Sequence, residues 1–238
     1  MISDFLQEHI DAGDFPSAVY LVAEKGNIVL QDARGFAVVE PERIEAKIET
    51  IYDLASLTKV LVTGLLAAKL VEQKVVSFED RVDSFFTSTD SKDGITLKQI
   101  VTHTSGFKSW IPFYSLPEAP GPEHDIGSWS QNLANIADFI TAKILSKSTF
   151  PREGVVYSDL NFILLGRLIE QYHGLILSTI ILNEVVDRLS LQRTFARGTG
   201  RLFRETAASE KGSAYERQIC IEQGYLQPSV TAGGSDFR

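Results

Sequence analysis

Apolar and polar positions recur along this chain with two different periods. Over residues 2–12, Ile2, Phe5, Leu6, His9 and Ile10 fall at i, i+3 and i+4 spacing, which predicts an amphipathic helix ended by Gly13. Ser17 to Glu24 and Asn27 to Asp32 are rich in β-branched and apolar residues and are joined through Lys25-Gly26-Asn27. That pattern predicts an antiparallel hairpin. Charge and proline at Glu40-Pro41-Glu42-Arg43 break it, and Thr50 to Leu54 resumes an extended reading.

From Ser56 onward the texture is helical. Leu57 to Gln73 is apolar on nearly every side, which predicts a helix buried within the protein. Shorter helices are predicted at Thr96 to Thr102, with Thr96 as its cap, at Leu133 to Leu145, at Leu160 to Tyr172 with Gly174 just beyond, and at Leu175 to Leu189. A long loop bearing prolines and aromatics, Phe107 to Trp129, lies between them, and Thr194 to Arg238 is polar and weakly patterned. The expectation is one α/β domain of the α+β kind: a helix and hairpin over 1–54, a helical region over 55–195 and a tail over 196–238.

Composition narrows the function classes. With 238 residues, 44% hydrophobic and 23% charged, the chain matches soluble globular proteins and excludes intrinsic disorder. A net charge of -8 supplies no positive field for phosphate backbones, so nucleic acid is excluded as a partner. The one cysteine, Cys220, forbids an intramolecular disulfide. The longest apolar stretch, Val60 to Leu70, is too short to span a bilayer. No basic and apolar leader follows Met1, which gives a cytoplasmic expectation. His9, His103, His124 and His173 show no ligand spacing, so neither a metal nor a cofactor is expected.

Candidate chemistry begins at Ser56-Leu57-Thr58-Lys59. Serine and lysine three apart on a helix share a face, so the amine reaches the hydroxyl. A neighbouring amine that has lost its proton acts as base for the weakly nucleophilic serine, and the helix N-terminus favours the developing oxyanion. A second Ser-x-x-Lys, Ser105 to Lys108, follows His103-Thr104 in a loop, where that geometry is not enforced. Downstream, Tyr157-Ser158-Asp159 precedes a helix, and a tyrosine there can present its phenol to a cleft and shuttle protons near a lysine. Each motif alone has a plainer reading: Ser56 as an N-cap with a snorkelling lysine, Tyr157 as an amphipathic helix-start residue with Asp159 capping.

Taken in order, three runs carry a resemblance: Tyr52 to Lys59, Ile100 to Phe107, and Tyr157 to Gly166. Together they resemble the serine β-lactamase and penicillin-binding-protein superfamily, in particular its class C β-lactamase-like branch with esterases and D-alanyl-D-alanine carboxypeptidases. The resemblance covers residues 1 to about 205. It implies a β-lactamase/transpeptidase-like fold, with an antiparallel sheet and a helical subdomain. It implies Ser56 as acylated nucleophile, Lys59 as its proton-transfer partner, and Tyr157 as general base. The Ser56 backbone N–H would form half of an oxyanion hole, and Asp159 and Asn161 would contact substrate. His103 to Gly106 match a segment that is structural in relatives. The implied partner is a small ester, amide or peptide, turned over through an acyl-enzyme.

Two departures modify that expectation. Asp159 stands where the superfamily commonly has Asn, placing a carboxylate near Lys59 that holds it protonated and favours a different substrate polarity. A third motif, Lys or His followed by a small residue and Gly, is not found after Tyr157. The C-terminal strands of the sheet are therefore expected to be missing, leaving the hairpin with an unpaired edge and an uncovered apolar face. The same absence motivates an alternative, a non-catalytic relative that binds a peptide or partner.

Overall fold

The computed structural model describes residues 1–86, 94–111, 137–146, 154–196 and 205–208, and the chain divides into two compact units, one formed by Met1–Leu54 with Arg197–Arg238 and one by Ala55–Ala196.

In the first unit the opening helix, α1, runs Ile2–Ala12 and stops at Gly13, whose φ of 85° is the left-handed cap that glycine adopts without a Cβ penalty. Strands β1 (Ser17–Glu24) and β2 (Asn27–Val38) pair antiparallel, with Glu24 opposite Asn27. The two residues between them, Lys25 at φ 49° and Gly26 at φ 82°, give the doubly left-handed turn whose twist suits a two-residue hairpin. β2 outruns its predicted end at Asp32 because Gly35 redirects the chain without stopping it. At φ +77°, a Cβ there would lie 2.2 Å from the Pro16 carbonyl oxygen, so only glycine permits the close approach. Beyond it Phe36 and Val38 pair with β3 (Ile44–Glu45), just after the stretch read as a break, and the sheet order is β1-β2-β3.

The predicted extended run Thr50 to Leu54 reduces to a single bridge. Ile51 pairs in parallel with Thr206, its N–H donating to the Glu205 carbonyl at 2.9 Å and its carbonyl accepting from Ala207 N–H at 2.8 Å. A local polar composition in the tail therefore concealed a pairing whose partner lies far away in sequence. The hairpin exposes Leu21, Ile28, Val29 and Leu30.

In the second unit the helix predicted from Leu57 is a composite. Lys59–Gly64 is π-helical and Leu65–Glu72 continues as α-helix, α2. Its burial corrects the expectation of an all-round core helix: Val62, Leu66, Ala67 and Leu70 are buried, whereas Leu57, Leu61 and Leu65 are exposed and Val60 is 71% exposed. The packed side faces the core that α3 (Leu97–Val101) and α5 (Asp159–His173) share with it, where Ile100, Leu164, Leu165 and Ile169 are all but inaccessible. Each such aliphatic side chain contributes about 1.5–3 kcal/mol by leaving water.

Thr96 caps α3 as predicted from sequence, its hydroxyl accepting from the Gln99 N–H while the Gln99 side chain accepts from the Thr96 N–H. Residues 137–146 form α4. α5 ends at Gly174, at φ 64°. The last predicted helix is again composite, α6 (Leu177–Ile181) followed by a π-helical turn over Leu182–Val186. There Glu184 pairs with Lys69 of α2. Most of the aromatic loop, residues 112–129, lies outside the described residues, as do the first four residues of the helix predicted from Leu133 and the tail apart from 196 and 205–208. Among the described residues no helix is long and apolar enough to cross a membrane.

Candidate active site

Ser56 lies on the turn that enters the π-helical segment. Thr58 N–H donates to the Ala55 carbonyl and Lys59 N–H to the Ser56 carbonyl, both at 3.1 Å. Ala55 takes φ 43°, a left-handed conformation that costs an L-residue roughly 1–2 kcal/mol. That strain is carried directly beside an exposed serine, as is common where backbone geometry serves a site.

One helical turn on, the Lys59 ammonium donates to Ser56 Oγ at 3.0 Å and to Asp159 Oδ1 at 2.7 Å. Lys59 heads the π-helical turn, a feature that often marks functional positions. The turn depends on Gly64, where a Cβ would lie 2.8 Å from the Lys59 carbonyl oxygen.

Tyr157 approaches from the loop before α5. Its phenol is near enough to Ser56 and Lys59 for their side chains to shift its titration, and the Lys59 ammonium lies 5.1 Å from the ring centroid. The structure thus brings Ser56, Lys59, Tyr157 and Asp159 together from residues distant in sequence, all within the second unit.

The electrostatics follow from those contacts. Burial, the largest single influence on Lys59, disfavours its ammonium, but hydrogen bonds and charge from Asp159 and Tyr157 outweigh it and raise its titration point. The Tyr157 phenol is held below the ordinary tyrosine value, first by the Ser56 hydrogen bond and then by Lys59. An ammonium has donors only. Ser56 Oγ therefore accepts from Lys59, which leaves the serine proton free to point to the Tyr157 oxygen. The arrangement can move a proton from Ser56 to Tyr157 with Lys59 remaining charged. With its titration point raised, Lys59 does not match the deprotonated amine that a bare Ser-x-x-Lys suggests.

Asn161 corrects its sequence expectation. It is 0% exposed, its Oδ1 accepts from Ser105 Oγ at 2.6 Å and its Nδ2 lies 3.3 Å from His103 Nδ1. Both ends of the amide serve the interior, so no group of Asn161 is offered to a ligand. The second Ser-x-x-Lys is likewise internal in purpose: Ser105 is buried, and the Lys108 carbonyl accepts from Ser158 Oγ at 2.6 Å. Asp159 does not cap α5, since Ser158 occupies the N-cap position and the Asp159 carboxylate turns to Lys59.

Sequence reasoning read His103 as structural and did not connect it with Tyr157, whose ring lies 4.6 Å from its own. A signal was present, because His103 follows the end of a capped helix, where glycine is the usual residue.

Comparison with known proteins places this geometry. The family model described as Beta-lactamase matches residues 2–234. A protein of Salmonella gallinarum (strain 287/91), provisionally named D-alanyl-D-alanine carboxypeptidase, is 28% identical over 207 residues, covering 81% of this chain and 46% of its own. The chain thus spans about half the length of the curated relatives it matches. A penicillin-binding-protein homologue from Caulobacter crescentus superposes with a TM-score of 0.67 at 18% identity, covering 98% of this chain and 61% of its own. EstCE1, described as a hydrolase with promiscuous acyltransferase activity, gives a TM-score of 0.63 at 25% identity, over 90% of this chain and 56% of its own. The family match runs through both units, and this chain accordingly belongs to the Beta-lactamase family and has the α/β, β-lactamase/transpeptidase-like fold.

Proposed function

We propose that the chain carries the nucleophilic machinery of a serine hydrolase that cleaves esters or amides through an acyl-enzyme. The observation that supports it most is the convergence on Ser56 of the Lys59 ammonium, at 3.0 Å, and the Tyr157 phenol. Tyr157, as phenolate, takes the Ser56 proton while Ser56 Oγ bonds to the substrate carbonyl carbon. The backbone N–H of Ser56 donates to the oxyanion. Tyr157 then passes its proton to the leaving alcohol or amine as that bond breaks. In the second half Tyr157 takes a proton from water, the hydroxide adds to the acyl carbon, and Ser56 leaves with the proton restored. Lys59 stays an ammonium throughout and stabilises the phenolate and the developing charge on Ser56.

Small esters, D-Ala-D-Ala peptides and β-lactams all present a carbonyl suited to this cycle. Asp159 discriminates among them. Its carboxylate neutralises Lys59, and its side chain is 43% exposed, so a substrate carboxylate placed beside Ser56 meets repulsion. Neutral small esters are favoured over substrates ending in a carboxylate.

The test is labelling of the 238-residue chain with a fluorophosphonate, read by mass spectrometry and run beside Ser56→Ala. Adduct on Ser56 in the wild type and none in the variant is the expected result. A folded wild type that takes no label and hydrolyses no activated ester would refute catalysis by this chain and favour the ligand-binding alternative.

A further inference from the structure

His103 occupies a position whose backbone asks for a different residue. At the end of α3, His103 N–H donates to the Ile100 carbonyl and Thr104 N–H to the Gln99 carbonyl, at 3.2 and 2.9 Å. This is the paired closure of a helix C-terminus that normally places glycine at the left-handed residue. Here a histidine adopts φ 58°, although the left-handed region disfavours side chains.

Its side chain and its carbonyl are both employed on one target. The His103 carbonyl accepts from Val156 N–H at 2.9 Å, and His103 Nδ1 accepts from Ser158 N–H at 3.1 Å. These are the residues on either side of Tyr157. The imidazole also lies against Tyr157, with centroids 4.6 Å apart, and against Phe162 at 5.3 Å. Asn161 Nδ2 approaches Nδ1 at 3.3 Å, and Ser105 Oγ, donating to Asn161 Oδ1, fixes which end of that amide faces the ring.

From this geometry we propose that His103 is a positioning residue for Tyr157: a neutral imidazole, protonated on Nε2, clamps the residues before and after the tyrosine and sets its phenol against Ser56 and Lys59. The role rests on the reading of Tyr157 as base, since that is the group whose placement the clamp secures. An acceptor at Nδ1 requires a lone pair there, so a neutral ring must carry its proton on Nε2. Burial, and after it the charge of Lys59, hold the imidazole below its ordinary titration point, while Asp159 opposes them. Among the described residues, those two side chains and the Tyr157 phenol are the titratable groups that act on the ring.

The closing experiment uses the full 238-residue chain, with His103→Gly and His103→Asn. Glycine suits the left-handed backbone, so a His103 that served only to close the helix predicts an unchanged or raised melting temperature and an undisturbed Tyr157. The clamp predicts otherwise. Carbon-13 labelling of tyrosine Cζ, with Tyr157→Phe to assign the signal, should show the Tyr157 titration moving in H103G toward the ordinary phenol value, about 10. Fluorophosphonate labelling at Ser56 should slow by about ten- to a hundredfold, the range for a misplaced catalytic group.

In H103N, asparagine tolerates the left-handed backbone and offers Oδ1 to the Ser158 N–H, so the Tyr157 titration should return toward the wild-type position. A Tyr157 titration unmoved in H103G overturns the proposal whatever the activity, as does a nitrogen-15 spectrum placing the wild-type proton on Nδ1. If the wild type takes no label but Tyr157 shifts in H103G, the hydrolase reading fails and the clamp stands.

Discussion

Replacing Asp159 by Asn removes the carboxylate that faces Lys59 while keeping the side chain's size. The separation of 2.7 Å sets the magnitude. Two unit charges at that distance attract by about 1.5 kcal/mol at the dielectric constant of water and about 6 kcal/mol at an effective constant of 20. Because the Asp159 side chain is 43% exposed, solvent screening brings the interaction toward the lower figure. One pKa unit corresponds to about 1.4 kcal/mol, so the Lys59 titration point should fall by about one unit in D159N.

Asp159 also raises the Tyr157 titration point through its charge, so the variant should lower that too, by less. Attack by Ser56 needs Tyr157 without its proton and Lys59 with its own. The rate therefore rises as pH climbs through the Tyr157 value and falls as it passes the Lys59 value, and D159N should displace both limbs to lower pH. Fluorophosphonate labelling rates at Ser56 across the neutral and alkaline range measure the two limbs, and nitrogen-15 observation of Lys59 Nζ measures the second directly. An alkaline limb that stays in place or moves upward would refute the assignment of Lys59 as an ammonium held by Asp159.

Two further outcomes concern the backbone. Gly64→Ala drives a Cβ to 2.8 Å from the Lys59 carbonyl; it should cost about 1–3 kcal/mol in urea unfolding and slow Ser56 labelling, whereas an unaltered midpoint and rate would show that the π-helical turn is not needed. Gly35→Ala meets the Pro16 carbonyl at 2.2 Å with φ at +77°, and overpacking plus a left-handed alanine should together destabilise by about 2–5 kcal/mol; a melting temperature within a degree or so of wild type would contradict the close approach there.

Several features were readable from residues alone because they depend on neighbours in the sequence. α1, the Thr96 cap, the two-residue hairpin turn and Gly174 after α5 follow from helical spacing, hydroxyl capping and glycine's tolerance of positive φ. The three ordered motifs likewise brought Ser56, Lys59 and Tyr157 to notice, since each is a short local pattern that carries its chemistry in its residue types.

Tertiary structure decided what those residues do. The all-apolar run after Leu57 predicted a buried helix, yet hydrophobicity cannot say which side finds a partner, and Val60 remains in water while Val62 and Leu66 are packed. Asn161 read as a ligand contact until the Ser105 hydroxyl and the His103 ring engaged both ends of its amide. The protonation pattern was legible only in part: a lysine three residues from a serine reads as a base, Asp159 was expected to hold it protonated, and the fold alone sets that carboxylate 2.7 Å from the ammonium. Charge interactions act through space, so sequence names the ionisable groups and the fold determines which of them hold their protons.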